Sequence, residues 1–155
     1  PRRLKHKDCS GVAQLDFHFN VPERVEYACR VVRKARAAGK SVVAWTTDAE
    51  RLARFDAALW TFSALDFLPH VYADNPLAAE TPVLLALDAA RLPQADVLLL
   101  LDDAPPPAHT ALFARYERVI DVVSRDEAER AAARLRFKAY RDEGLEPTAH
   151  DQAAR

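Results

Sequence analysis

The sequence predicts a single α/β domain, layered about a mostly parallel sheet, and three observations predict it. Short apolar strands alternate with stretches of helical periodicity along the chain. Proline, glycine and capping residues fall at the joints between them, and no repeat, low-complexity stretch or break in composition divides the 155 residues. With 50% hydrophobic and 29% charged residues, the chain has the balance of one globular domain able to bury a real core.

The elements follow in order. Leu15, Phe17 and Phe19 alternate with Asp16, His18 and Asn20, which predicts a half-buried first strand with His18 on its solvent side. Pro22 suits a first helical turn, and Val25, Ala28, Cys29, Val32 and Ala35 recur at helical spacing until Gly39 stops the helix. Residues 41–47 (SVVAWTT) are β-branched and apolar, a buried strand. Thr47 and Glu50 have capping-box spacing for a second helix that turns Leu52, Phe55 and Leu59 inward and ends near Trp60. Residues 61–82 hold Pro69, Pro76 and Pro82 and predict an irregular connection. Val83 to Leu87 and Val97 to Leu101 are apolar strands. A rigid Pro105-Pro106-Pro107 loop leads to a short helix over 109–116, a strand over 118–123, and a final helix over 126–143 that ends near Gly144 and Pro147. Residues 1–12 carry no periodicity and are expected to be a tail, 13–151 the domain, and 152–155 a C-terminal tail.

Composition excludes several functions. Seen whole, a net charge of −1 makes no broad magnet for nucleic acid, so any contact with DNA is expected to be local or indirect. Cys9 and Cys29 make no disulfide framework. The longest apolar run, Val97 to Leu101, falls far short of the roughly 20 residues that span a bilayer, and no apolar signal core follows the basic start. The expectation is a cytoplasmic protein without a membrane partner.

Enzyme chemistry finds little support. Gly39-Lys40-Ser41 copies the end of a phosphate-binding loop, but it lies after a helix and before a strand, whereas such a loop joins a strand to the helix that follows. Lys34 stands where the first glycine of the pattern belongs. No G-x-G-x-x-G occurs. His6, His18, His70, His109 and His150 are scattered, with no pair at ligand spacing, and His70 beside Pro69 is expected to pack. The reading is no catalytic centre, no metal and no cofactor. The competing class is a small nucleotide- or phosphate-binding enzyme with an unrecognised site near Asp102 and Asp103, which end the strand VLLLLDD.

The last helix stands apart. From Arg130 to Arg141 it has no acidic residue. At 100° per residue, Ala128, Ala131, Ala132, Leu135 and Ala139 form an apolar stripe expected to face the sheet, while Arg130, Arg134, Phe137, Lys138 and Arg141 form a second stripe about a third of a turn away. A ring among cations suits an acidic peptide with an apolar end, held by charge-assisted hydrogen bonds and a small apolar pocket. The other reading of this stripe is a solvated helix face. A second cluster, Trp60, Phe62 and Phe67, suits either core packing or a partner-binding patch.

At these residues the sequence resembles the chi subunit of bacterial DNA polymerase III. The blocks 56–60 (DAALW), 67–70 (FLPH) and 136–141 (RFKAYR) carry the likeness, in the right order and spacing, with Gly39-Lys40 before the second strand, over roughly 14–151. The resemblance implies an α/β fold, three-layer in kind, related to nucleotide-binding folds but without a phosphate loop and with no catalytic centre of its own. It implies an accessory subunit of the replicase that bridges the psi subunit, and through it the clamp loader, to the acidic C-terminal tail of single-stranded-DNA-binding protein. By position, Arg134 and Lys138 match basic tail-binding residues, Arg130 matches a third, Phe137 replaces a tyrosine, and Val123 would line the pocket. Trp60 and Phe67 match the side associated with psi and with a helicase as an alternative partner. Residues 74–82 depart most from the pattern.

Overall fold

The computed structural model describes residues 14–62 and 67–153; the expected tail 1–12 lies outside them. Seven strands form one sheet: β1 (Gln14–Val21), β2 (Val42–Trp45), β3 (His70–Tyr72), β4 (Val83–Ala86), β5 (Val97–Leu100), β6 (Arg118–Ser124) and β7 (Thr148–Asp151). Their order is β3-β4-β2-β5-β6-β1-β7, and every neighbouring pair is parallel. Helices α1 (Arg24–Ala37) and α2 (Ala49–Thr61) cover one face, and α3 (His109–Phe113) and α4 (Glu127–Asp142) the other.

Parallel strands need covered faces, so central strands are apolar on both sides. Val42, Ala44, Leu99 and Val122 pack under Val32 and Phe55 of the first pair of helices, while Val43, Trp45, Leu98 and Val119 meet Phe113 and Tyr140 of the second. Cys29 is fully buried in α1, and burial pushes its thiol up to about 12. It serves as a small apolar side chain.

Several expectations are corrected. The second helix is capped by Asp48, whose carboxylate accepts from the Glu50 and Arg51 N–H groups at 3.1 Å each. Thr47 does not cap, because its hydroxyl donates to Asp102 at 2.7 Å. The stretch read as irregular contains β3, too short for an alternation to show. Strand β7, in the chain beyond Pro147, is polar because it is an exposed edge. Its pairing continues into Gln152, whose N–H donates to the Phe19 carbonyl at 2.9 Å. His18 does not face solvent: it is half-buried under α1 against the Tyr27 hydroxyl, 2.5 Å away.

The largest correction concerns α4. Leu135 is 71% exposed, and Ala128 and Ala131 are exposed too, whereas Ala133, Arg136 and Tyr140 are buried. The helix is rotated from the alanine-leucine stripe because Arg136 finds a carboxylate partner inside. Its Nε and Nη2 donate to the two oxygens of Asp121 on β6 at 2.9 and 2.8 Å. A paired guanidinium can be buried where a lone one cannot.

Candidate functional site: a basic groove beside the last helix

The rotation of α4 decides what lies next to its buried face. Asp126 caps the helix by accepting from the Glu129 N–H at 3.0 Å. Glu129 in turn accepts from the Ser124 hydroxyl at 2.6 Å, tying the first turn to the end of β6. Arg136 locks the middle: besides Asp121, its Nη1 donates to the Asp103 carbonyl at 2.8 Å, and its guanidinium carbon lies 6.0 Å from the Phe17 ring centre. Phe137 then packs edge-on against Phe17 at 5.1 Å.

With the helix fixed so, the stripe of Arg130, Arg134, Phe137, Lys138 and Arg141 borders a groove of about 540 Å³ between α4 and the outer strands. Phe17, Phe19 and Val123 line it from the sheet, and Ala149 of β7 from the far side. All six residues singled out in the sequence, Val123 included, therefore meet at one place. The arginines stand out in solvent, and Lys138 pairs with Asp142 one turn on at 2.9 Å. The result is an apolar floor with a cationic rim, a shape that takes an apolar group carrying or flanked by carboxylates.

Sequence reasoning found Val123 and Phe137 but missed the rest of the floor. Phe17 and Phe19 were legible as inward residues of β1, but nothing local says that this face meets α4. Ala149 belongs to a strand whose pattern carries no signal.

Trp60 and Phe67 sit apart from the groove. They are 56% and 70% exposed, with ring centres 5.9 Å apart. Beneath them His70, 4.6 Å from the Trp60 ring, is buried and packs as expected. Its Nε2 lies 2.9 Å from the Asp56 carboxylate and its Nδ1 2.6 Å from the Leu68 carbonyl. Phe62 is half-buried against the α1–α2 side of the core. This patch flanks β3 at one edge of the sheet, and the groove flanks β1 and β7 at the other. Five to six strand spacings put them roughly 24–29 Å apart.

The Asp102–Asp103 pair ties strand ends together. Asp102 accepts from the Thr46 hydroxyl, the Thr47 N–H and hydroxyl, and the Ala104 N–H at 2.7–3.1 Å. Burial raises its pKa, but these hydrogen bonds outweigh it and hold the carboxyl below its usual range. Asp103 pairs with the buried Arg24 at 3.0 Å. The histidines prove less scattered than their numbering suggests. His18 and His150 face each other across β1 and β7, ring centres 5.1 Å apart, and His150 Nε2 lies 2.9 Å from Asp16. Among the described residues no cluster of metal-ligating side chains forms, and no helix is long and apolar enough to cross a membrane.

The fold defines the class first. A variant of S. cerevisiae Dbp5 bound to RNA and ADP BeF3 shares it at a TM-score of 0.62 with 11% identity, covering 92% of this chain and 42% of that one. The C-terminal domain of the DEAD-box protein Dbp5 shares it at 0.55 with 13% identity, covering 92% of both chains. At such identities the likeness concerns architecture alone: an all-parallel α/β domain. The family is more specific. The model described as DNA polymerase III chi subunit, HolC, matches residues 12–148, and the chain belongs to that family. It is similar to DNA polymerase III subunit chi of Pseudomonas aeruginosa, 32% identical over 138 residues, covering 86% of this chain and 92% of that protein. The Escherichia coli K12 subunit is 29% identical over 121 residues, covering 77% and 80%. Membership places the chain among the subunits of a replicative polymerase complex.

Proposed function

We propose that this chi-family subunit is an adaptor that holds the replicase on strands coated by single-stranded-DNA-binding protein, with the groove beside α4 receiving that protein's acidic C-terminal tail. The observation that carries the reading is the pairing of an aromatic floor, Phe17, Phe19 and Phe137, with a rim of Arg130, Arg134, Lys138 and Arg141. An apolar terminal side chain enters the floor while its carboxylate and the preceding acidic residues meet the rim. Phe137 supplies the ring without the hydroxyl of a tyrosine, so the contact there is packing. At the opposite edge, exposed Trp60 and Phe67 are the anchors for psi, or for a helicase in its place. Two sites on opposite edges let both partners bind together, which is what a bridge requires.

The test is a titration of the full chain with a labelled acidic peptide ending in Pro-Phe, beside the same peptide amidated. Tight, salt-sensitive binding that needs the terminal carboxylate supports the reading. Equal binding of the two peptides, or none, overturns it.

A further inference from the structure

On the face of the sheet opposite the groove, a second basic hollow lies between α1 and the same outer strands. Its volume is about 590 Å³, and it is lined by Tyr27, Arg30, Val31 and Lys34 of α1 and by Arg118 and Ile120 of β6. Alternation along β1 separates the two hollows: Phe17 points to the groove, and its neighbour His18 to this side.

From Tyr27 to Lys40 the chain has no acidic residue. Arg30 and Lys34 are exposed and one turn apart on the lining face, and among the described residues neither makes an ion pair. The other cations there are partly answered: Lys40 pairs with Glu117 at 3.0 Å and Arg118 with Asp16 at 2.9 Å. His18 adds no charge at neutral pH, because burial and the nearby His150 push its pKa down to about 4. Arg36 serves the helix end by donating to the Lys40 carbonyl at 2.9 Å. A surplus of two positive charges therefore belongs to Arg30 and Lys34, above a floor made by Val31, Ile120 and the Tyr27 ring, which His18 meets edge-on at 5.6 Å.

We infer that this hollow is a contact site for single-stranded nucleic acid, with Arg30 and Lys34 on its phosphates and the Tyr27–Val31–Ile120 surface against a base. Cations alternating with ring and apolar surface inside an open groove are how proteins hold single strands without reading sequence. A duplex keeps its bases stacked inside and offers the hollow only phosphate. A net charge of −1 over the whole chain confines such binding to this local surplus, so it is weak and serves to position a strand rather than to capture one.

The experiment is an anisotropy titration of the full chain with a labelled oligothymidylate of about 12 nucleotides, repeated over a range of salt. Two to four phosphates contacted give a slope of log affinity against log salt of about −1.5 to −3. The R30A/K34A double variant is expected to weaken binding about tenfold or more, with an unchanged melting temperature because both side chains are exposed. It should leave binding of the acidic tail peptide intact, so failure here is separable from failure of the adaptor reading. Lys34→Glu should weaken the oligonucleotide further. Unchanged oligonucleotide affinity in the double variant, equal competition by duplex of the same length, or loss in Arg134→Ala instead would each overturn the site. So would a double variant that loses the acidic peptide while keeping the oligonucleotide.

Discussion

Arg136 of α4 holds Asp121 of β6 with two parallel hydrogen bonds of 2.8 and 2.9 Å, and both side chains are closed off from solvent. The carboxylate supports the guanidinium's charge: burial lowers the arginine's pKa, but Asp121 more than offsets this and the net direction is upward. The pair sets the rotation of the helix and thereby which residues face the groove. Removing one partner strands the other's charge in the core, so Arg136→Ala and Asp121→Ala should each cost about 3–5 kcal/mol. An Arg136→Met/Asp121→Leu double variant should recover much of that loss while blurring the helix rotation. Urea unfolding of the four proteins checks this. A double variant no more stable than the singles would show that the site does not tolerate an apolar pair.

The proposed groove binding rests on exposed cations that do little for folding. Arg134→Ala should weaken tail-peptide binding by about 1–3 kcal/mol, or roughly 5- to 150-fold, and leave stability within about 0.5 kcal/mol. Leu135→Ala, one residue along and facing away, should change neither. Calorimetric titration and thermal melts read both effects. A peptide affinity that falls equally in both variants would mean that the helix, and not the basic stripe, had been damaged.

How much of this was legible in the sequence depends on how local each cause is. The strands at Val42–Trp45, Val83–Ala86 and Val97–Leu100 announced themselves because a strand buried on both faces must be a short apolar run. The stripe of Arg130, Arg134, Phe137, Lys138 and Arg141 was legible because helical spacing is a local property. The inward face of α4 was not. Periodicity assigned Leu135 to the core and placed Arg136 on neither stripe, whereas Leu135 is exposed and Arg136 buried, because the partner that makes Arg136 buriable, Asp121, sits on another element. Short or polar strands such as His70–Tyr72 and Thr148–Asp151 are defined by the neighbour they pair with, and nothing in their own side chains records it. The same reason hid the rest of the groove's floor, where Ala149 arrives from the last strand.

The two proposed partner sites lie at opposite edges of the sheet and share no side chain. Trp60→Ala and Phe67→Ala should therefore weaken psi binding while leaving tail-peptide affinity unchanged. Combined with Arg134→Ala, each should add to within about 0.5 kcal/mol, as sites far apart do. Pull-down of psi with the peptide titrated alongside measures both. A coupling well above that limit would require the sheet to carry a conformational change between its edges.

His18 gives the fold a particular dependence on pH. Burial, with the nearby positive charge of His150 second, depresses its pKa to about 4, against 6.5 in the unfolded chain. Between those values the unfolded state binds a proton that the folded state refuses, so stability is fully present above about 6.5 and falls as the pH drops towards 4. The full shift is worth about 3 kcal/mol at 1.36 kcal/mol per pH unit. Asp16 and Asp102 act lower down. Burial raises each, but hydrogen bonds from His150 and Arg118, and from Thr47, Ala104 and Thr46, pull both below the usual 3.8, so their contributions are lost only under more acid conditions. His18→Asn keeps an acceptor for the Tyr27 hydroxyl and removes the titration. The variant should lose less stability than the natural protein between pH 6.5 and 4 and run parallel to it above 7. Urea unfolding at half-unit pH steps decides it, and identical curves through that window would mean that His18 protonates as readily in the folded chain as in the unfolded one.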